Sequence, residues 1–334
     1  MQVVDLTLLE VNPTEALGLP RLQEGLQRLE PLLTAAVVTG DGFLDDVTTH
    51  LIAAGGKRLR PLLALATATA GERDASEGDL MGGVAVELVH LASLYHDDVI
   101  DEATIRRNVE SVNSRFGNLV AIVAGDYLLA RSAAIAASLG TEIAALLAET
   151  LGRLCQGQVT EVRSSFQIGR SRDDYFNSIS GKTAALMAAS SRIGALTGGL
   201  PATEVEACTE FGRCFGMVFQ IRDDILDITA TDGQLQKPAG QDLAEGIYTL
   251  PALVALADPD AGPDLRALLG QPLAQPERDK ARAIVMASNG IGTAVDVARS
   301  YAFDAQAATA GIARPELRAG LSRLATELLS DLPG

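Results

Sequence analysis

Apolar residues recur at three- and four-residue steps along almost the whole chain, the period of a helix that buries one face. Segments 20–38, 42–54, 59–70, 76–102, 118–139, 141–166, 172–198, 202–230, 249–257, 276–289, 291–310 and 315–331 carry this pattern. They are rich in Ala, Leu, Glu, Arg and Gln, and clusters of Gly, Pro, Asn and Asp separate them. No stretch alternates apolar and polar residues between hairpin turns, so no strands are expected. No repeat of fixed period and no low-complexity linker marks a boundary. The reading is all-α, a single-domain bundle of about 10–13 helices spanning residues 1–334. Two segments are apolar nearly all round, 84–94 and 211–219, which predicts helices buried in the middle of the bundle.

Both of these helices run into carboxylates. The first ends in His96-Asp97-Asp98-Val99-Ile100-Asp101, where Asp97 and Asp101 lie a turn apart on one face with Asp98 beside them. Like charges at that spacing destabilise a helix unless something neutralises them. One DDxxD is more often a solvated helix end. A second copy, Asp223-Asp224-Ile225-Leu226-Asp227, follows the other buried helix, and two such copies point to hard divalent cations. Mg²⁺ keeps part of its water shell and favours one or two carboxylates completed by substrate phosphates. A phosphorylated substrate between the clusters is therefore expected. A di-iron bundle would need an ExxH motif on each of two helices, and the sequence has only one, Glu87-Leu88-Val89-His90.

Charge narrows the partners. The chain has 27 Lys+Arg against 43 Asp+Glu, a net charge of −16, which disfavours nucleic acid and anionic lipid surfaces. No apolar run of membrane-spanning length is expected, and residues 1–13, without a cation, do not read as a signal peptide. Cys155, Cys208 and Cys214 are odd in number and lack CxxC spacing, which fits a reducing, cytoplasmic setting. The four lysines are Lys57, Lys182, Lys237 and Lys280. Lys57 belongs to Gly55-Gly56-Lys57-Arg58-Leu59-Arg60-Pro61, where Lys57 and Arg60 can turn toward one anion. Arg106 and Arg107 follow the first Asp cluster, and His90 precedes Asp97 by two helical turns on the same face.

These stretches resemble the trans-isoprenyl diphosphate (polyprenyl) synthases. The match covers GGKRLRP at 55–61, HLASLYHDDVIDEATIRR at 90–107, SVNSRFGN at 111–118, GDYLLAR at 125–131, GKTAALM at 181–187, FQIRDDILD at 219–227 and KPAGQDLAEGIYTLP at 237–251. It runs in order over most of residues 50–255. The resemblance implies the isoprenoid synthase fold, with helices around a central cavity, and a homodimer. It implies Mg²⁺-dependent head-to-tail condensation of isopentenyl diphosphate with an allylic diphosphate, with three Mg²⁺ expected per site. Asp97 and Asp101 resemble the main ligands of the first motif, with Asp98 in support. Asp223 resembles the ligand of a further Mg²⁺, with Asp224 and Asp227 acting directly or through water. Lys57, Arg60, His90 and Arg107 resemble the isopentenyl diphosphate site. Arg106, Lys182, Thr183, Gln220 and Lys237 resemble the allylic diphosphate site. Two positions depart from the pattern: Asn108 stands where a glycine is usual, and Ile247 where many relatives carry a phosphate-binding lysine.

Product length is expected to follow from the residues one turn before Asp97. Ala92 and Ser93 are small, so the tunnel floor lies deeper, and a product of roughly C30 to C50 is expected from the helix rise. The alternatives are a geranylgeranyl or farnesyl diphosphate synthase, a class I terpene cyclase, and a non-catalytic subunit of a two-component synthase. The cyclase has no use for a second diphosphate site at Lys57 and Arg60, and such a subunit tends to lack the Asp motifs.

Overall fold

The computed structural model describes residues 12–231 and 239–333. Helices α1 (Pro13–Leu17), α2 (Leu22–Val37), α3 (Gly42–Ala53), α4 (Leu59–Thr69) and α5 (Glu77–Ile100) precede a small hairpin, β1 (Ile105–Arg106) and β2 (Val109–Glu110). There follow α6 (Val112–Phe116), α7 (Asn118–Leu139), α8 (Thr141–Ser164), α9 (Arg172–Ile179), a π-helical turn (Ser180–Ala184), α10 (Ala185–Thr197) and α11 (Ala202–Thr229). After residue 239 come α12 (Gln241–Ala244), α13 (Leu250–Ala257), α14 (Ala261–Leu268), α15 (Gln275–Ala287), α16 (Gly290–Ala308), a 3₁₀ turn (Thr309–Gly311) and α17 (Pro315–Glu327).

The fold is all-α, as the period of the sequence requires. Helix α5 starts at a reciprocal cap: the Ser76 hydroxyl accepts from the Asp79 N–H and the Asp79 carboxylate accepts from the Ser76 N–H. It then runs through the interior against α4, α7 and α10. Leu88, Leu91 and Leu94 on it are buried, and each such side chain contributes roughly 1.5–3 kcal/mol relative to exposure. Helix α11 lies against α10 and α16 and crosses two apolar clusters. Phe211, Phe215 and Phe219 belong to the first, with α2, α4, α5 and α7. Ile221, Ile225 and Ile228 belong to the second, with α9, α13 and α16.

Three expectations need correction. A hairpin exists among the described residues: β1 and β2 pair antiparallel through Ile105–Glu110 and Arg106–Val109. Its strands are too short to show alternation. Its turn residues Arg107 and Asn108 both have positive φ, 52° and 62°, as a two-residue hairpin turn of the mirror-image type demands. Asn108 thus takes the left-handed conformation without a glycine. Segment 172–198 is two helices joined by a π turn rather than one. Finally, α7 is long and apolar enough to cross a membrane by length and composition alone, 22 residues with mean hydropathy 1.6. Its alanines, Gly125 and serines suit close helix contact, and it packs along α5, where the Ser132 hydroxyl donates to the Ala85 carbonyl at 2.7 Å. The short helices α1, α6, α12 and α14 span too few residues to show a period.

Candidate active site

Helix α5 ends at the first Asp cluster. Asp97 lies in its last turn, and the Asp101 N–H closes that turn on the Asp97 carbonyl at 2.8 Å. Asp227 lies in the last turn of α11, with Asp223 and Asp224 one turn earlier. A helix C-terminus already carries partial negative charge, and neither helix has a basic residue in its last turn. Both ends are therefore sites where a cation is electrostatically favoured.

Lys182 and Glu161 link the two clusters. Lys182 is buried, on the π turn, and its Nζ meets Glu161 Oε1 of α8 at 2.7 Å. Burial alone would lower its pKa, but the carboxylates of Asp97, Glu161 and Asp101 outweigh that and raise it, so it is a stable ammonium. The π turn follows from contact between backbones. A Cβ on Gly157 would stand 2.5 Å from the Lys182 backbone nitrogen, and one on Gly181 2.6 Å from the Arg153 carbonyl oxygen. Two facing glycines bring α8 against the turn and seat Lys182 on Glu161, within the influence of Asp97 and Asp101 at the end of α5.

The second cluster is wired into its surroundings. Tyr175 on α9 donates to Asp224 Oδ2 at 2.6 Å, Gln220 Nε2 donates to Asp224 Oδ1 at 2.9 Å, and the Thr183 hydroxyl donates to Gln220 Oε1 at 2.7 Å. Burial pushes the Asp224 carboxyl up to about 7, against the pull of these two donors. Asp227 Oδ2 accepts from the Asp242 N–H at 3.3 Å at the start of α12. Arg222 Nη1 approaches Asp223 Oδ1 at 3.4 Å. In the first cluster, Asp98 is fully buried and Arg106 Nε donates to its Oδ1 at 2.7 Å. Arg106 and Asp98, expected to serve substrate and metal, therefore hold each other. Burial also raises the Asp97 carboxyl, with Lys182 opposing and Asp101 adding to the rise.

The cationic residues gather around His90 on α5. Burial and then the charges of Arg60, Arg107, Arg106 and Arg58 hold its imidazole well below the usual range, so it is neutral. Arg60 is held down to about 10, by burial and by Arg107, with Glu87 opposing. Arg107 Nη1 donates to the Leu51 carbonyl at 3.1 Å and to that of Gly55. Its guanidinium lies over Gly56, where a Cβ would be 3.0 Å away, so the Gly-Gly pair makes room for an arginine. Lys57 is half-buried beside it. Arg58 turns inward, with Nε on Glu30 Oε1 at 2.7 Å, Nη1 on Glu87 Oε1 at 3.1 Å and Nη2 on the Ile52 carbonyl at 3.2 Å. It sits at positive φ, 48°, and anchors the loop that carries Lys57.

Ala92 is buried, whereas Ser93 is half-buried and donates to the His90 carbonyl at 2.8 Å. His96 turns away, to the Ile122 carbonyl of α7 at 3.2 Å. Lys237 lies outside the described residues. Glu161, Tyr175, Glu87 and Arg170 were not evident from the motifs. The one available signal was Glu87, an acid inside the apolar stretch 84–94. Among the described residues, no three His, Cys, Asp or Glu side chains close on one point tightly enough to hold an ion unaided. That fits an ion completed by water and substrate phosphate, given buried acidic helix ends facing an ammonium.

Residues 41–286 match the polyprenyl synthetase family. The nonaprenyl diphosphate synthase of Mycobacterium tuberculosis is 38% identical over 300 residues, covering 89% of each chain. The decaprenyl diphosphate synthase of Rhodobacter capsulatus superposes with a TM-score of 0.86 at 29% identity, over 94% of this chain and 98% of that one. A geranylgeranyl pyrophosphate synthase of Corynebacterium glutamicum, complexed with calcium and isoprenyl diphosphate, superposes with a TM-score of 0.82 at 37% identity, over 94% and 97%. With both aspartate motifs and their lysine joined through one set of side chains, and with this match over most of its length, the chain belongs to the polyprenyl synthetase family, enzymes that elongate prenyl diphosphates head to tail.

Proposed function

We propose that the chain condenses isopentenyl diphosphate with an allylic diphosphate to a product of roughly C30 to C50, with Mg²⁺ as its metal. The observation that carries the reading is Lys182, a buried ammonium under the influence of Asp97 and Asp101 while paired to Glu161, next to Asp224. Asp97, Asp101 and Asp223 are the direct metal ligands. Asp98, Asp224 and Asp227, already engaged by Arg106, by Tyr175 and Gln220, and by the Asp242 N–H, act as supports or through water. Three ions per site are in keeping with two acidic helix ends and a diphosphate between them. When bound, Mg²⁺ neutralises the diphosphate and improves it as a leaving group.

The chain's own residues position and shield. Lys182, Thr183 and Gln220 hold the allylic diphosphate, with Lys237 expected to join them. Lys57, Arg60, Arg107 and neutral His90 hold isopentenyl diphosphate, and Arg106 acts through Asp98. The two diphosphates are thus held by separate sets of side chains, and the apolar flank of α5 excludes water from the developing cation. No protein nucleophile is required. The released pyrophosphate is the base that takes the proton.

Product length rests on Ser93, four residues before Asp97 and therefore on the same face of α5, half-buried and small. The long-chain names of the Mycobacterium and Rhodobacter enzymes support this reading. The Corynebacterium enzyme, at 37% identity, supports a C20 product as the second reading. Leu119, Ile122 and Val123 leave an exposed apolar stripe on α7, which supports a homodimer, and the charge and cysteine usage support a cytoplasmic location. The test is to incubate the purified chain with Mg²⁺, isopentenyl diphosphate and primers of several lengths and to size the dephosphorylated products. Turnover without isopentenyl diphosphate would indicate a cyclase. Absence of turnover by the chain alone would indicate a subunit.

A further inference from the structure

Arg170 belongs to none of the motifs. It lies between α8 and α9, is only 8% exposed, and donates through Nη1 to the Tyr248 carbonyl at 3.2 Å. Its guanidinium lies over the Tyr175 ring, 5.7 Å from the centroid. Its Nε and Nη2 donate to nothing among the described residues. These two nitrogens form the side of a guanidinium that takes two oxygens at once. Arg58 uses that side on Glu30, at 2.7 and 3.1 Å, and Arg222 uses it on Asp331. In Arg170 the same side is buried without a partner among the described residues, which is unfavourable unless a ligand fills it.

The surroundings indicate which ligand. The groups that act on the Arg170 charge are Glu161, Asp224, Tyr175 and Asp174. Glu161 is the partner of Lys182, and Asp224 belongs to the second Asp cluster. Arg170 therefore stands at the edge of the proposed allylic diphosphate site. The carbonyl it holds belongs to Tyr248, the residue after Ile247. Ile247 is a buried apolar side chain and supplies no cation there.

We propose that Arg170 binds the diphosphate of the allylic substrate and, after ionisation, the pyrophosphate, gripping two oxygens of one phosphate through Nε and Nη2. It supplies from the α8–α9 segment the positive charge that position 247 lacks. The inference rests on the diphosphate site proposed above.

Calorimetric titration of inorganic pyrophosphate with Mg²⁺ tests it, alongside the KM of each substrate, for wild type, Arg170→Gln and Arg170→Lys. Arg170→Gln is expected to weaken pyrophosphate by about tenfold or more and to raise the allylic KM comparably, with the isopentenyl diphosphate KM within about twofold of wild type. Arg170→Lys keeps the charge without the two-pronged side and should fall between. Unchanged pyrophosphate affinity overturns the proposal. So does equal weakening of both substrates with a lowered Tm, which would make Arg170 a pin between the 165–171 segment and Tyr248. If Arg170→Gln fails to fold, Arg170→Lys decides alone, and wild-type affinity in it overturns the proposal. If wild type binds no pyrophosphate and makes no product, the underlying reading of the site fails instead.

Discussion

At the scale of single residues, the side chains around the aspartates are already paired before any ligand arrives. Asp98 has Arg106, and Asp224 has Tyr175 and Gln220. Asp97 and Asp223, proposed above as direct metal ligands, should be the sensitive positions. Asp97→Ala and Asp223→Ala are expected to fold by circular dichroism and to lose turnover by about 10²-fold or more, the scale on which one group stabilising developing charge is felt. Initial rates in excess Mg²⁺ measure this, and wild-type rates in either folded variant would remove the metal role. His90 gives a prediction about stability. Its folded-state pKa lies below the ordinary value of 6.5, through burial and the charges of Arg60, Arg107, Arg106 and Arg58. The unfolded chain thus binds the extra proton first as pH falls. The contribution of neutral His90 is complete above about pH 6.5 and is lost progressively below it. Wild type should lose Tm between pH 7.5 and 5 more steeply than His90→Gln. Parallel curves would mean that His90 is not held neutral. The motif residues were legible because like charges on buried helices demand an explanation. Glu161 and Arg170 were not, because nothing around them in the sequence reveals that they face inward, and only Glu87, inside the apolar stretch 84–94, carried a local signal.

At the scale of elements, most helix limits could be read from apolar spacing and caps. The segment Glu77–Ile100 was expected as 76–102, and Asn118–Leu139 was expected with the same ends. The π turn was hidden because it arises from Gly157 meeting the backbone of another helix, a contact between residues far apart in sequence. The hairpin was hidden because two-residue strands have no period. Helix α5 also carries the length prediction. Ser93, not the fully buried Ala92, shares the face of Asp97 and stays partly open. Ser93→Phe should place a ring across the path of the growing chain and stop it near C15 or C20, since one helical turn of about 5 Å is close to one prenyl unit. Ala92→Phe would instead overpack the core and lower Tm, by roughly 1–3 kcal/mol of stability. Chromatography of dephosphorylated products checks the first and thermal melting the second. An unchanged length in Ser93→Phe would place the floor elsewhere.

At the scale of the whole molecule, a chain with a net charge of −16 gathers its cations where anionic substrates must sit and pairs several of them in advance. The contact between Lys182 and Glu161 bears on what happens after the chemistry. Making a long chain repeats one condensation many times, and every round frees a pyrophosphate that must depart before the next begins. A buried ammonium with no other companion would detain that anion. If Lys182 holds that anion as proposed above, Glu161, 2.7 Å away, is placed to take the ammonium back as it leaves, so that departure strands no charge. On that reading the pair would act as a latch that returns to its closed position after each round. Glu161→Gln weakens the return: it should hold pyrophosphate more tightly and slow steady-state turnover more than a single condensation measured by rapid quench. Equal slowing of both would mean that Glu161 serves bond making rather than the clearing of the site between rounds.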